Sequence, residues 1–149
     1  MSEPESAAAP GAEPVDTRSP EDTAETVELA VPANASYVSV LRTVTASLAA
    51  RRDFTIEEID DLRIAVDEAC ALLLPHAGTR ARLAAEFDGS TTALRVSVSL
   101  SGLSGAETIT LDETSFAWLV LSALADDVST AAAGDRLSVT LSKARSARA

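Results

Sequence analysis

Apolar and polar positions alternate along this chain with two distinct periods. In Thr26–Val31, the residues Val27, Leu29 and Val31 share one side at period two, which predicts a half-buried strand. Val38, Leu41, Thr45 and Leu48 then recur at 3-4-3 spacing, which predicts a helix capped by Asn34 or Ser36 and running to about Ala50. Thr55-Ile56-Glu57-Glu58 is a capping box, in which the Thr55 hydroxyl and the Glu58 carboxylate satisfy each other's free backbone N–H groups. Behind it, Ile59, Leu62, Val66, Ala69 and Leu73 form the apolar stripe of a second helix, which Pro75 stops. Arg80–Phe87 and Thr92–Leu100 read as two strands around Asp88-Gly89, a hairpin signal. Phe116, Leu119, Val120 and Leu124 mark a third helix that begins near Asp112–Ser115, with Phe116 and Trp118 as its expected core anchors. Val128–Ala132 and Leu137–Leu141 flank Gly134-Asp135, a second hairpin. The order β-α-α-β-β-α-β-β gathers strands into hairpins with helices to cover one face. It predicts an α+β fold, a two-layer sandwich.

Composition narrows the picture. A length of 149 residues suits one domain with a real core. Residues 1–25 hold four of the six prolines, seven acids and one base, Arg18, with almost no large apolar side chain. Such a stretch cannot offset its ordering entropy, so a disordered acidic leader is expected there. The domain is expected over 26–143, with 144–149 as a short basic tail, equally unstructured. Over the whole chain 12 basic residues face 23 acidic ones, a formal charge of −11, of which the leader carries −6. That balance excludes a nucleic-acid binder working by phosphate neutralisation. The single cysteine, Cys70, excludes an internal disulfide framework and suits a reducing compartment. No apolar run approaches the roughly 20 residues that span a bilayer. The first residues have neither a basic nor an apolar secretory region, so a cytoplasmic location is expected.

The segment Leu62–Ala77, LRIAVDEACALLLPHA, resembles the N-box helix of the GHKL (Bergerat-fold, histidine-kinase-like) ATPases. More narrowly it is similar to the serine-kinase anti-sigma factors of the RsbW type, whose helix reads roughly (L/I)-x-x-A-V-x-E-A-x-x-N-x-x-x-H-(A/G). Ala65-Val66, Glu68-Ala69 and His76-Ala77 fall on that pattern. The resemblance extends over most of 26–143, because the element order is the family's, and Phe116–Val128 looks like the closing helix and strand of actinobacterial members.

The resemblance implies a Bergerat fold and assigns roles to positions. Glu68 stands where the family has its general base. Leu72 stands where an asparagine binds the Mg²⁺ that bridges the ATP phosphates, and leucine has no oxygen for a hard cation. Gly102 and Gly105 fall in the segment that corresponds to the nucleotide-binding D-x-G-x-G motif, with no acid ahead of them to accept the adenine amino group. ATP and Mg²⁺ belong to the chain only if it is an active kinase. Counted back without gaps from Glu68, Arg42 falls where the family places an arginine that contacts the sigma factor; no acid lies three or four residues from it along its helix. The implied function is an anti-sigma factor that sequesters an alternative sigma factor in a stress-response partner switch. The implied partners are that sigma factor, a STAS-domain antagonist that releases it, and a second copy in a homodimer, with no nucleic acid or membrane. The alternative is an active ATP-dependent serine/threonine protein kinase that phosphorylates the antagonist. Two residues nearby read more simply as structure: His76 at a helix end, favourable to the dipole, and Cys70 as a small core residue. Glu57, Glu58, Asp60, Asp61 and Asp67 make an acidic helix face, solvated or able to attract a basic partner.

Overall fold

The computed structural model describes residues 25–146. The expected leader, up to residue 24, and the last three residues of the expected tail lie outside it. Strand β1 (Glu25–Pro32) is followed by helix α1 (Val38–Arg51) and helix α2 (Ile56–Leu73). Strands β2 (Arg82–Gly89) and β3 (Ala93–Ser101), helix α3 (Phe116–Leu124) and strands β4 (Asp127–Ala133) and β5 (Arg136–Ala144) complete the expected order. Short 3-10 turns at Ala35–Tyr37, Leu74–His76 and Ala106–Thr108 link them.

The strands form one antiparallel sheet in the order β1-β2-β3-β5-β4. Period two in each strand sends alternate side chains inward: Leu83, Ala85 and Phe87 from β2, Leu94, Val96, Val98 and Leu100 from β3, and Leu137, Val139 and Leu141 from β5. Helix α2 lies against β3 and β5 and is flanked by α1 and α3. Its buried face is Leu62, Ala65, Val66, Ala69, Cys70, Leu72 and Leu73. On the opposite sheet face the register aligns one row of small side chains, Ala30, Ala84, Ser99, Ser138 and Ala131, across all five strands, beside a row that sets Glu28 opposite Glu86.

Local chemistry sets the ends. Both halves of the capping box form at α2: Glu58 N–H donates to Thr55 Oγ1 at 3.1 Å and Thr55 N–H to Glu58 Oε1 at 2.8 Å. Asn34 caps the 3-10 turn ahead of α1, and Ser115 caps α3.

Three expectations need correction. The Asp88-Gly89 pair is not a turn: both residues lie in β2, Gly89 opposes Leu94, and the chain reverses through Ser90–Thr92. Gly89 instead lies at a close approach, since a Cβ there would fall 2.9 Å from the backbone oxygen of Ala93 and 2.6 Å from Arg52 Nε. Second, Phe116 is no core anchor but is 77% exposed, and Leu119 is 59% exposed. Helix α3 (FAWLVLSAL) is apolar nearly all round, so spacing could not say which face turns inward. Leu121 is the residue it buries fully, with Ala117, Trp118, Leu124 and Ala125 packed beside the core. Third, the tail is ordered as far as Ser146. Strand β5 reaches Ala144, Arg145 N–H donates to Thr92 O at 2.8 Å, and Ser146 N–H donates to Glu58 Oε2 at 2.7 Å.

Burial alone would raise the Glu58 carboxyl, but hydrogen bonds from Ser146 and Thr55 hold it down at about 2. A folded-state value below the ordinary 4.5 means that ionised Glu58 stabilises the fold above that pH. The contribution fades as pH falls from there towards about 2. Glu58→Gln is therefore expected to lower the melting temperature at pH 7 and to flatten the acid limb of stability. Thr55→Ala should cost about 1 kcal/mol by loss of the cap. Equal melting of Glu58→Gln and wild type at both neutral and acid pH would contradict this account of the α2 N-terminus.

Candidate functional site

Glu68 and Leu72 stand one turn apart on α2, so their side chains emerge on the same side. Glu68 is half-buried, and its carboxyl is pushed above the ordinary value by that burial and by the neighbouring Asp67 carboxylate. Leu72 is only 7% exposed and belongs to the main apolar core. Leu103, Ala106 and Leu111, from the connection between β3 and α3, are buried in the same core. Position 72 is thus packed hydrocarbon, with no oxygen to offer a cation.

The two glycines of that connection are explained by its backbone. Gly102 and Gly105 have left-handed φ angles of 80° and 65°. At Gly102 a Cβ would also fall 2.3 Å from Arg80 O. Its N–H donates to Asp135 Oδ2 at 3.1 Å, and Leu103 N–H donates to Asp135 O at 3.0 Å. The segment is therefore tied to the turn between β4 and β5. What remains between it and the end of α2 is an open cavity of about 300 Å³, bounded by His76, Arg80, Gly102, Leu103 and Ile109 among others. That is the lower end of the roughly 300–1,000 Å³ range of ligand pockets. His76 reaches this rim from the 3-10 turn after α2.

Arg42 is paired, contrary to what its own helix suggests. Its Nη1 donates to both Asp67 oxygens, at 3.0 and 3.1 Å, across the contact between α1 and α2. Spacing along one helix is blind to such a partner 25 residues away. Both side chains remain about a third exposed, so the pair contributes at most about 1 kcal/mol. The acidic face of α2 is likewise engaged: Asp60 pairs with Arg63 at 3.4 Å and Asp61 with Lys143 at 3.8 Å. Cys70 is buried, and burial, reinforced by Asp67 and opposed by Arg42, pushes its thiol up to about 12. It is a protonated core residue. The structure joins Arg42 of α1 to Asp67 of α2, with Glu68 one residue further along α2; it sets Gly102 and Gly105 in the separate connection after β3.

An antiparallel five-stranded sheet under three helices, with Glu68 on the central one, defines the class as a Bergerat-type α+β sandwich. The family profile described as "Histidine kinase-like ATPase domain" matches residues 31–143, and the chain belongs to that family. The Serine-protein kinases RsbW of Bacillus thuringiensis (strain Al Hakam) and Bacillus cereus (strain B4264) are each 40% identical to it over 53 residues, 36% of this chain and 33% of theirs. A crystal structure of the RsbU and RsbW domains of Rv1364c from Mycobacterium tuberculosis matches with a TM-score of 0.59. That match covers 83% of this chain and 33% of the other at 17% identity, a likeness of fold. The chain spans about a third of the length of each of these relatives.

Leu72→Asn would put an amide into the apolar core. It is expected to cost about 3 kcal/mol in chemical denaturation, from lost packing plus an unsatisfied polar group. It should not create Mg²⁺-dependent ATP binding. A near-neutral change in stability, accompanied by saturable ATP binding, would show that the pocket is still open behind Leu72. Cys70 should react with a thiol reagent only on unfolding.

Proposed function

We propose that this protein is an anti-sigma factor that holds an alternative sigma factor by protein–protein contact and works without nucleotide turnover. The observation that supports the reading is the burial of Leu72, where the resemblance expects the Mg²⁺ ligand, in one core with Leu103, Ala106 and Leu111. Glu68 keeps the family's acidic position, but a base alone has no phosphate to act on. The partner surface in this reading lies on the outer side of α1 and α2 around Arg42, whose planar fork suits a carboxylate of the sigma factor. To engage it, that carboxylate must compete with Asp67 for the guanidinium.

Release is by competition from a STAS-domain antagonist rather than by phosphorylation of it. A homodimer is also part of the reading. The central row of the sheet face left uncovered by helices, Ala30, Ala84, Ser99, Ser138 and Ala131, supports it, because small side chains let two sheets approach closely. ATP and Mg²⁺ are not components of the switch.

Co-expression with the sigma factor encoded beside it should yield a complex that withholds the sigma factor from core RNA polymerase. Arg42→Ala should weaken that complex about tenfold, or about 1.4 kcal/mol. Failure of the two proteins to co-purify, with unimpaired transcription in the presence of the anti-sigma candidate, would overturn the reading. Calorimetry with ATP and Mg²⁺ should give no saturable heat; saturable binding that Glu68→Gln abolishes would establish the kinase reading instead.

A further inference from the structure

The connection after β3 lies at one end of the sheet; the turn Ser90–Thr92, between β2 and β3, closes the other. At that second end, a cavity of about 580 Å³ opens between the C-terminal end of α1, the turn and the last described residues. Arg51, Arg52 and Arg145 line it, together with Glu25 and Asp53 and the turn itself. In a chain with nearly twice as many acids as bases, three guanidiniums at one cavity are a local reversal of sign.

Two of the three are held in place. Arg52 Nε donates to Ser90 O at 3.2 Å, and its Nη1 donates to Leu48 O at 3.1 Å. Arg145 Nε donates to Thr91 O at 3.0 Å, and its backbone N–H donates to Thr92 O at 2.8 Å. Each guanidinium is thus anchored through Nε to a neighbouring carbonyl of the same turn. Gly89 makes room for this arrangement, because a Cβ would sit 2.6 Å from Arg52 Nε and 3.0 Å from Cζ, as well as 2.9 Å from the backbone oxygen of Ala93. The Asp88-Gly89 glycine, idle as a turn residue, has this use. The bond to Leu48 O also caps α1, which would explain Arg52 alone. It explains neither Arg145 on a distant segment, brought to the same turn by its own pair of bonds, nor the exposed Arg51 beside them.

We propose that this cavity is a binding site for a phosphate group. Planar forks that approach one cavity from α1 and from the chain end suit a tetrahedral oxyanion, which offers oxygens in several directions, better than a flat carboxylate. Fixing the forks beforehand removes much of the ordering cost of binding. The site is separate from the Glu68 region and does not depend on the function proposed above.

Titrating the full chain with inorganic phosphate in a non-phosphate buffer at pH 7, with sodium chloride at matched ionic strength as reference, tests this by calorimetry and by amide chemical shifts. Saturable binding with a Kd of about a millimolar or tighter is expected, with shifts centred on Ser90–Thr92 and Arg145. Arg52→Gln and Arg145→Gln should each weaken it about tenfold, whereas Arg63→Gln on α2 should leave it unchanged. Gly89→Ala, which keeps every charge but displaces the Arg52 guanidinium, should weaken it several-fold; melting curves verify that each variant is folded. In a parallel arm, glycerol 2-phosphate binding as well as inorganic phosphate would identify an esterified phosphate as the ligand, and its exclusion would identify the free anion. No saturable binding beyond the chloride reference would overturn the proposal. So would binding that folded Arg145→Gln and Gly89→Ala leave intact.

Discussion

The burial of α2 is the constraint on which the rest of the structure depends. This helix lies against β3 and β5 and is wedged between α1 and α3, and seven of its residues are buried. Because the wedge is tight, what α2 presents on each side is fixed by its rotation. The rotation places Asp67 against Arg42, half-buries Glu68 and buries Leu72. Its N-terminal capping box fixes where the helix begins, and the same Glu58 carboxylate holds Ser146 from the far end of the chain. One element therefore ties together the core, the charged outer surface and the C-terminal segment.

That rotation also decides what the site can do. A histidine-kinase-like ATPase domain needs oxygen ligands where α2 faces the connection after β3. Here Leu72 of α2 is buried hydrocarbon, and the connection after β3 is bonded to Asp135 at the turn between β4 and β5. In the proposed reading, hydrocarbon packing at Leu72 takes the volume that a cation would need. Glu68 is half-buried one turn away, its proton affinity raised by burial and by Asp67.

Much of the fold was legible in the sequence, and the failures have physical causes. Period two marked each strand, and the Thr55 capping box and the Leu62-to-Leu73 stripe located α2, because there local preference and tertiary burial agree. Helix α3 defeated the same method: nine nearly uniformly apolar residues carry no directional signal, so Phe116 was assigned to a core that Leu121 occupies. Gly89 was taken for a turn because a glycine serves both turns and close contacts, and sequence alone does not distinguish them. At the candidate site, Glu68 and Leu72 could be placed by motif spacing. Asp67 as the partner of Arg42 could not, since helical spacing reports neighbours on one helix and this pair spans two. Arg52 and Arg145 were missed because sequence distance hides their meeting at one turn.

The central claim is that this family member acts by contact and has given up nucleotide for core packing. Measuring sigma-factor affinity with and without saturating ATP and Mg²⁺ addresses it most directly, because a nucleotide site that drove the switch would couple ATP to partner binding by linkage. The account predicts the same dissociation constant in both conditions. An affinity that changes several-fold with ATP and Mg²⁺, and no longer does so in Glu68→Gln, would contradict it.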